Sequence, residues 1–161
     1  MPAVAGDPPV FVAWPRRLRI FGFAIAAMLC GATVAGWFAL PAELRDLFSL
    51  SQRLTLLGLL VLLVGVIVAV ATSAVRADAD GLRIRNGVRT HAVPWSRVHK
   101  IIFRPGDPWA QLLLIPEDGR PFEVSLDAEK RQLMGIQAVD GARAHAAVEE
   151  LRRRHRAYLR S

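Results

Sequence analysis

The chain is poor in the residues that make staples and metal sites. It has one cysteine, Cys30, in 161 residues. A lone thiol excludes an intramolecular disulfide, and no Cys/His spacing suits zinc. In AAMLCGAT, Met28 and Leu29 stand where a lipid-attachment signal needs small residues, so Cys30 reads as a small buried hydrophobe. Lysine is scarce too. Lys100 and Lys130 are the only lysines, and arginine carries the rest of the positive charge.

Catalytic signatures are also missing. There is no Gly-rich phosphate loop, no HExxH and no GxSxG. His91, His99, His145 and His155 are scattered, with only Glu149 and Glu150 loosely at helical spacing. Asp78-Ala79-Asp80-Gly81 starts like a calcium loop but lacks the third ligand and the distant bidentate Glu. The expectation is no enzyme, no cofactor and no metal site.

The most telling absence is charge. None occurs from Ile20 to Leu40, and none from Leu54 to Val75. Each run is longer than the ~20 helical residues that span a bilayer core. Trp14 and Trp37 lie near the ends of the first run, where amphipathic rings favour the interface. That run is too long for a cleaved signal, and a second follows at once. Arg16-Arg17 resembles a twin-arginine start, but Arg19 falls where that signal needs an apolar residue. Neither run holds an ionisable residue at depth, which argues against a transporter.

What remains is basic. The net charge is +7, with hydrophobic residues at 53% and charged residues at 22%. Mean hydropathy is +0.30 and the pI about 11.1. Arg16, Arg17 and Arg19 precede the first run, and Arg76, Arg83, Arg85 and Arg89 follow the second. The link PAELRDLFSLSQR holds Arg45 and Arg53 beside Glu43 and Asp46. Arginine-rich flanks stay cytoplasmic. The expected protein is multi-pass in a bacterial plasma membrane, with both termini cytoplasmic and the hairpin loop outside. Ala27, Gly31 and Ala35, with Ala32 and Gly36, put small residues at four-residue spacing on the first span. Packing on the second span is the preferred explanation, and a homodimer seam through transmembrane helix 1 is the other.

Residues 76–161 change character. Leu82 and Ile84 alternate with Arg83 and Arg85, and Asn86-Gly87 signals a hairpin. A three-residue loop, Asn86-Gly87-Val88, pairs Ile84 with Thr90 and Leu82 with Ala92 and keeps the apolar face clean. Further strands are expected to Val93, over Val98–Phe103, Trp109–Ile115 and Phe122–Leu126, and near Leu133–Val139. Pro94 and Trp95 close one strand, and Trp95 reads as a structural plug at a barrel corner, with a ligand platform as the other reading. Arg97, His99, Lys100 and Arg104 are left as rim charges. Asp140 suits a helix start. Ala144, Val148, Leu151, His155 and Tyr158 then recur at helical spacing, with Glu149, Arg152, Arg153 and Arg156 opposite. Six or seven short strands suggest a small sandwich or barrel. The basic run at 152–156 lacks interleaved aromatics, so no nucleic acid is expected.

Two spans, then RADADGLRIRNG, VPWSRVHKI and the late GIQAV, resemble small actinobacterial membrane proteins with a bacterial pleckstrin-homology (PH-like) domain of the low-molecular-weight protein antigen type. The resemblance covers about 18–160. It implies an α+β chain: a two-helix transmembrane hairpin, then a PH-like bent β-barrel of six or seven strands closed by a C-terminal amphipathic helix. It implies no catalytic activity. Eukaryotic PH domains often bind phosphoinositides through a basic first loop. Bacterial members do not generally follow that pattern, so the ligand is not carried over.

The expected layout is a cytoplasmic tail at 1–17, spans at 18–40 and 54–75, a loop at 41–53 and the PH-like domain at 76–161. The expected role is a binding or assembly module, contacting the lipid bilayer and another membrane-associated protein. The rival is anionic-lipid headgroup sensing by the basic face of the PH-like domain, through Arg83, Arg85, Arg89 and the arginines of the C-terminal helix.

Overall fold

The computed structural model describes residues 9–116 and 129–161. The expected strand Phe122–Leu126 lies outside the described residues. The element order is β1 (Phe11–Ala13), α1 (Arg16–Ala39), α2 (Ala42–Asp46), α3 (Leu50–Ala71), β2 (Ala74–Ala77), β3 (Gly81–Asn86), β4 (Arg89–Pro94), β5 (Val98–Ile102), β6 (Trp109–Leu114), β7 (Lys130–Gln137) and α4 (Ala142–Tyr158).

Helices α1 and α3 are long and apolar enough to cross a membrane, and their side chains are almost entirely exposed. They are not the core helices of the folded domain. Their mutual contact is concentrated near the domain. A Cβ on Gly22 would sit 3.0 Å from the Ala71 Cβ. A Cβ on Gly31 or Gly36 would meet no described neighbour within 4 Å, so packing on α3 does not explain the small residues there. Gly22 and Ala26 are the buried small residues of α1. Cys30 is exposed, not buried.

At the far end the chain turns through α2. Ser49 accepts from the Gln52 amide and Gln52 returns the bond, a capping box that starts α3. Arg53 donates to the Phe48 and Arg45 carbonyls and lies 5.4 Å from the Trp37 ring centre.

Helix α3 ends sooner than its apolar run. The Thr72 hydroxyl donates back to the Val68 carbonyl at 2.9 Å, and Ala74–Ala77 becomes β2. Val75 is therefore core of the domain, fully buried opposite Ile84. The segment before α1 is not a plain tail. Phe11, Val12 and Ala13 pair antiparallel with Ala77, Arg76 and Val75. A strand before the helical hairpin thus pairs with the strand after it.

The β3–β4 hairpin uses Gly87-Val88 as a two-residue turn, with Gly87 at φ +61. Asn86 opposes Arg89, Ile84 opposes His91 and Leu82 opposes Val93. The expected three-residue loop is not formed. Val93 gains burial beside Leu82, and the half-buried His91 is accommodated opposite Ile84.

The sheets are β1-β2-β3-β4 and β5-β6-β7, all pairs antiparallel. They curl around one core containing Val75, Ile84, Trp95, Ile101, Leu112, Leu133 and Leu151. Two contacts join them. The Asn86 side chain donates to the Gln132 carbonyl at 2.7 Å and accepts from the Met134 amide at 3.2 Å. Gly135 lies so near β2 that a Cβ would fall 2.8 Å from Val75 N.

Between the sheets, Pro94 leads into a turn at Trp95–Arg97. Trp95 is 2% exposed. Its indole N–H donates to the Asp78 carbonyl at 3.0 Å, and its ring stacks on His155 at 5.9 Å. Arg97 is no rim charge. It is partly buried and pairs with Glu129 at 2.8 Å.

Helix α4 buries Ala144, Ala147, Val148, Leu151 and His155 against the sheets, while Tyr158 stays exposed. Asp140 does not cap it. Gly141, at φ +57, takes the N-cap place, and Asp140 faces α1 instead.

Candidate functional site

The outer face of β2 and β3 meets the domain-proximal ends of α1 and α3 in an open cleft of about 500 Å³. Val12, Trp14, Arg19, Thr72, Ala74, Arg76, Arg83, Arg85 and Thr90 line it. The strand period builds this face. Arg83 and Arg85 alternate with buried Leu82 and Ile84, so both point outward. Register then adds neighbours: Arg76 directly opposes Arg83, and Arg85 opposes both Ala74 and Thr90.

The four arginines differ in how they are held. Arg19 donates to the Ala71 carbonyl at 3.2 Å, at the C-terminus of α3, where a cation complements the helix dipole. Its guanidinium also lies 5.5 Å from the Trp14 ring centre. Arg85 donates to the Gly87 carbonyl at 3.2 Å and reaches the Thr72 hydroxyl at 3.5 Å. Arg76 and Arg83 are exposed, and neither has an acid partner among the described residues. Among the described residues, no carboxylate lines this cleft. Asp78 and Asp80 border a smaller hollow of about 220 Å³ on the far side of Arg83.

Of the three arginines expected to act together, the structure joins two. Arg89 opposes Asn86 at the hairpin tip and has the parity of Ile84, so it leaves the face of Arg83 and Arg85. Sequence reasoning missed Arg19 and Arg76 as partners in this patch. Arg76 carries only a weak signal, because AVRA holds a single charge and its start merges with the uncharged run before it. Arg19 carries none, because its approach depends on how the helices meet the sheet.

The basic run at the C-terminus serves structure. Arg152 donates to the Ile101 carbonyl at 3.2 and 3.1 Å. Arg153 and Arg154 both pair with Glu150, whose carboxyl is held below its usual value chiefly by the Arg154 hydrogen bond. Arg154 also reaches the Pro9 carbonyl at 2.8 Å and lies 5.7 Å from the Phe11 ring centre, clamping β1. Among the described residues, no three His, Cys, Asp or Glu side chains converge as metal ligands do.

Residues 72–154 match the family model described as a bacterial PH domain, just over half of the chain. The chain belongs to this bacterial PH domain family. Such PH domains are binding modules without catalytic machinery. The match starts at Thr72, where α3 ends, so β1 is a strand the PH domain takes from outside its own matched segment. Similar proteins include an uncharacterised protein of Mycobacterium bovis and one of Mycobacterium tuberculosis strain H37Rv. Each is 29% identical over 139 residues, covering 86% of this chain and 83% of the relative. A stretch of that length cannot fit within the PH domain, so the similarity extends into the helical hairpin. No solved structure matches the chain.

Proposed function

We propose that this PH domain protein is a membrane-anchored binding and assembly module that docks another membrane-associated protein at the cytoplasmic face. The observation that carries the reading is the pairing of β1 with β2. It splices the helical hairpin into the sheet, so the domain is fastened to its anchor at two points. A domain fixed this way meets partners confined to the same leaflet at high effective concentration.

Arginine placement supports the orientation. Arg16, Arg17, Arg19, Arg76, Arg83 and Arg85 gather at the domain end, while Arg45 and Arg53 share the loop end with Glu43 and Asp46. In a Cys30→Ala background, Leu47→Cys is expected to react with an impermeant maleimide on intact cells. Ser161→Cys is expected to react only after permeabilisation. The reverse pattern would invert the topology. Photocrosslinking from the exposed faces of the domain in native membranes is expected to give one discrete protein adduct. Adducts with lipid alone would remove the assembly role.

The outward arginines of β2 and β3 favour a second reading, contact with anionic headgroups, which a salt-sensitive preference for anionic lipid would support.

A further inference from the structure

The cleft between the sheet and the anchor is more specific than a basic surface. We infer that it is a built site for one phosphate-bearing anion at headgroup depth. Arg76 and Arg83 are its primary ligands, and Arg19, Arg85, Thr72 and Thr90 line it. The inference rests on the headgroup reading above and gives it an address.

Three observations converge on it. The first is a cost without a local benefit. Arg76 and Arg83 are direct cross-strand partners, and like charges in that position destabilise a sheet. Neither is neutralised by a described acid. An anion between them turns the repulsion into two charge-assisted contacts. Guanidinium forks match phosphate oxygens in geometry and charge.

The second is the lining. Trp14, Ala74 and Val12 form an apolar wall, and the Thr90 hydroxyl lies on the same outer face. Trp14 is held between two guanidinium groups, Arg19 at 5.5 Å and Arg143 at 5.2 Å from its ring centre. The wall is thus fixed from two elements. A volume of about 500 Å³ suits a phosphoglycerol-sized group.

The third is position. Thr72 ends α3, and Arg19 is the last charge before the apolar run of α1. Both mark the level where hydrocarbon gives way to headgroups. Arg89, on the other face, lies outside the site.

The test uses the purified full chain in nanodiscs and charge-matched variants. Arg76→Gln with Arg83→Gln removes two charges inside the cleft. Arg89→Gln with Arg156→Gln removes two outside it. Thermal midpoints in phosphatidylcholine check that each variant is folded. Phosphatidylglycerol is then titrated into the discs and the shift in midpoint followed.

The wild type and the outside variant are expected to be stabilised alike. The cleft variant is expected to need about thirtyfold more phosphatidylglycerol, on ~1 kcal/mol for each of the two arginines it loses near the surface. Equal losses in both variants would mean diffuse attraction and overturn the site, as would no loss in either. Inorganic phosphate added to phosphatidylcholine discs distinguishes the sources. The same shift identifies a soluble phosphate, and no shift identifies the lipid headgroup. The readout is independent of orientation and protein partners, so it fails separately from the labelling and crosslinking tests.

Discussion

The carboxylate of Asp140 accepts the backbone amide of Arg16 at 3.0 Å, across 124 residues of chain. Its other oxygen accepts the Arg17 amide at 3.0 Å. Helix α1 has no side-chain cap of its own, because Pro15 occupies the N-cap, and its first turn holds only basic charge. Arginines there oppose the positive end of the helix dipole. Asp140 brings the missing acceptor and the missing negative charge from the PH domain. The junction between the domain and the helical hairpin is therefore a capping interaction.

Removing that carboxylate is expected to loosen the junction. Asp140→Ala forfeits two cap hydrogen bonds, about 0.5–2 kcal/mol. Asp140→Asn keeps one acceptor oxygen and is expected to lose less. Hydrogen exchange at the Arg16 and Arg17 amides is the direct measurement, and both should speed up while β6 stays protected. Unchanged exchange would mean that Asp140 does not hold α1.

Trp95 is the next point of failure. It is buried, its N–H satisfies the Asp78 carbonyl and it stacks on α4 through His155. Trp95→Ala is expected to cost ~3–5 kcal/mol, a large share of the ~5–15 kcal/mol that holds a domain together. Trp95→Phe keeps most of the ring volume and leaves the Asp78 carbonyl unpaired, at ~1–3 kcal/mol. Urea unfolding of the two variants should rank them in that order. A Trp95→Ala variant that unfolds like wild type would point to a ligand platform.

The Trp95 corner was legible because its cues are local. Pro94 and Trp95 interrupt an alternating pattern, and a strand-like run follows at once. Strands β5, β6 and β7 and the face of α4 up to His155 were legible for the same reason. Strand β1 was not, because three residues, FVA, carry no usable period. Strand β2 was hidden by its composition. Ala74 and Val75 extend the uncharged run of α3, and only the return of the Thr72 hydroxyl to Val68 and the pairing with β3 separate them. Asp140 looked like a cap and is one, for a helix that starts 124 residues earlier. The cleft was half legible. Alternation put Arg83 and Arg85 on one face, but register decided that Arg76 joins them and Arg89 does not.

His155 gives the domain an acid limit. It is 8% exposed, and its Nε2 has no hydrogen-bond partner among the described residues. Burial holds its pKa below the ordinary 6.5. A hydrogen bond with the Val98 backbone works against that shift, and the charge of His99 adds to it. Well above pH 6.5 the imidazole is neutral whether folded or unfolded, and it adds no pH dependence to stability. Below 6.5 the unfolded chain takes the proton first, so stability falls until the lowered folded value is passed. Glu150 acts in a separate window, losing its contribution only as pH falls below its ordinary 4.5. His155→Phe is expected to match wild type at neutral pH and to flatten the decline that begins below pH 6.5. Chemical denaturation at stepped pH measures both, and an unchanged slope in the variant would assign the decline elsewhere.

Gly135 tests the joint between the two sheets. Its missing side chain lets β7 pass β2 so closely that a Cβ would meet Ala74 C and Val75 N at 2.8 Å each. Both neighbours are backbone, so no rotamer change relieves the contact. Gly135→Ala is expected to push β7 away and cost ~1–3 kcal/mol by overpacking. The strain should spread along the seam to the bonds that Asn86 makes with Gln132 and Met134. Gly22→Ala is the comparison. Its added Cβ would press on the Ala71 Cβ at 3.0 Å and reach ordinary contact with Ile67 Cγ2 at 3.6 Å, where α1 packs on α3. Gly135→Ala should accelerate exchange at the Met134 amide and lower the domain's denaturation midpoint, while Gly22→Ala should leave the Met134 amide protected. Equal protection of that amide in both variants would show that the sheets are not held together at Gly135.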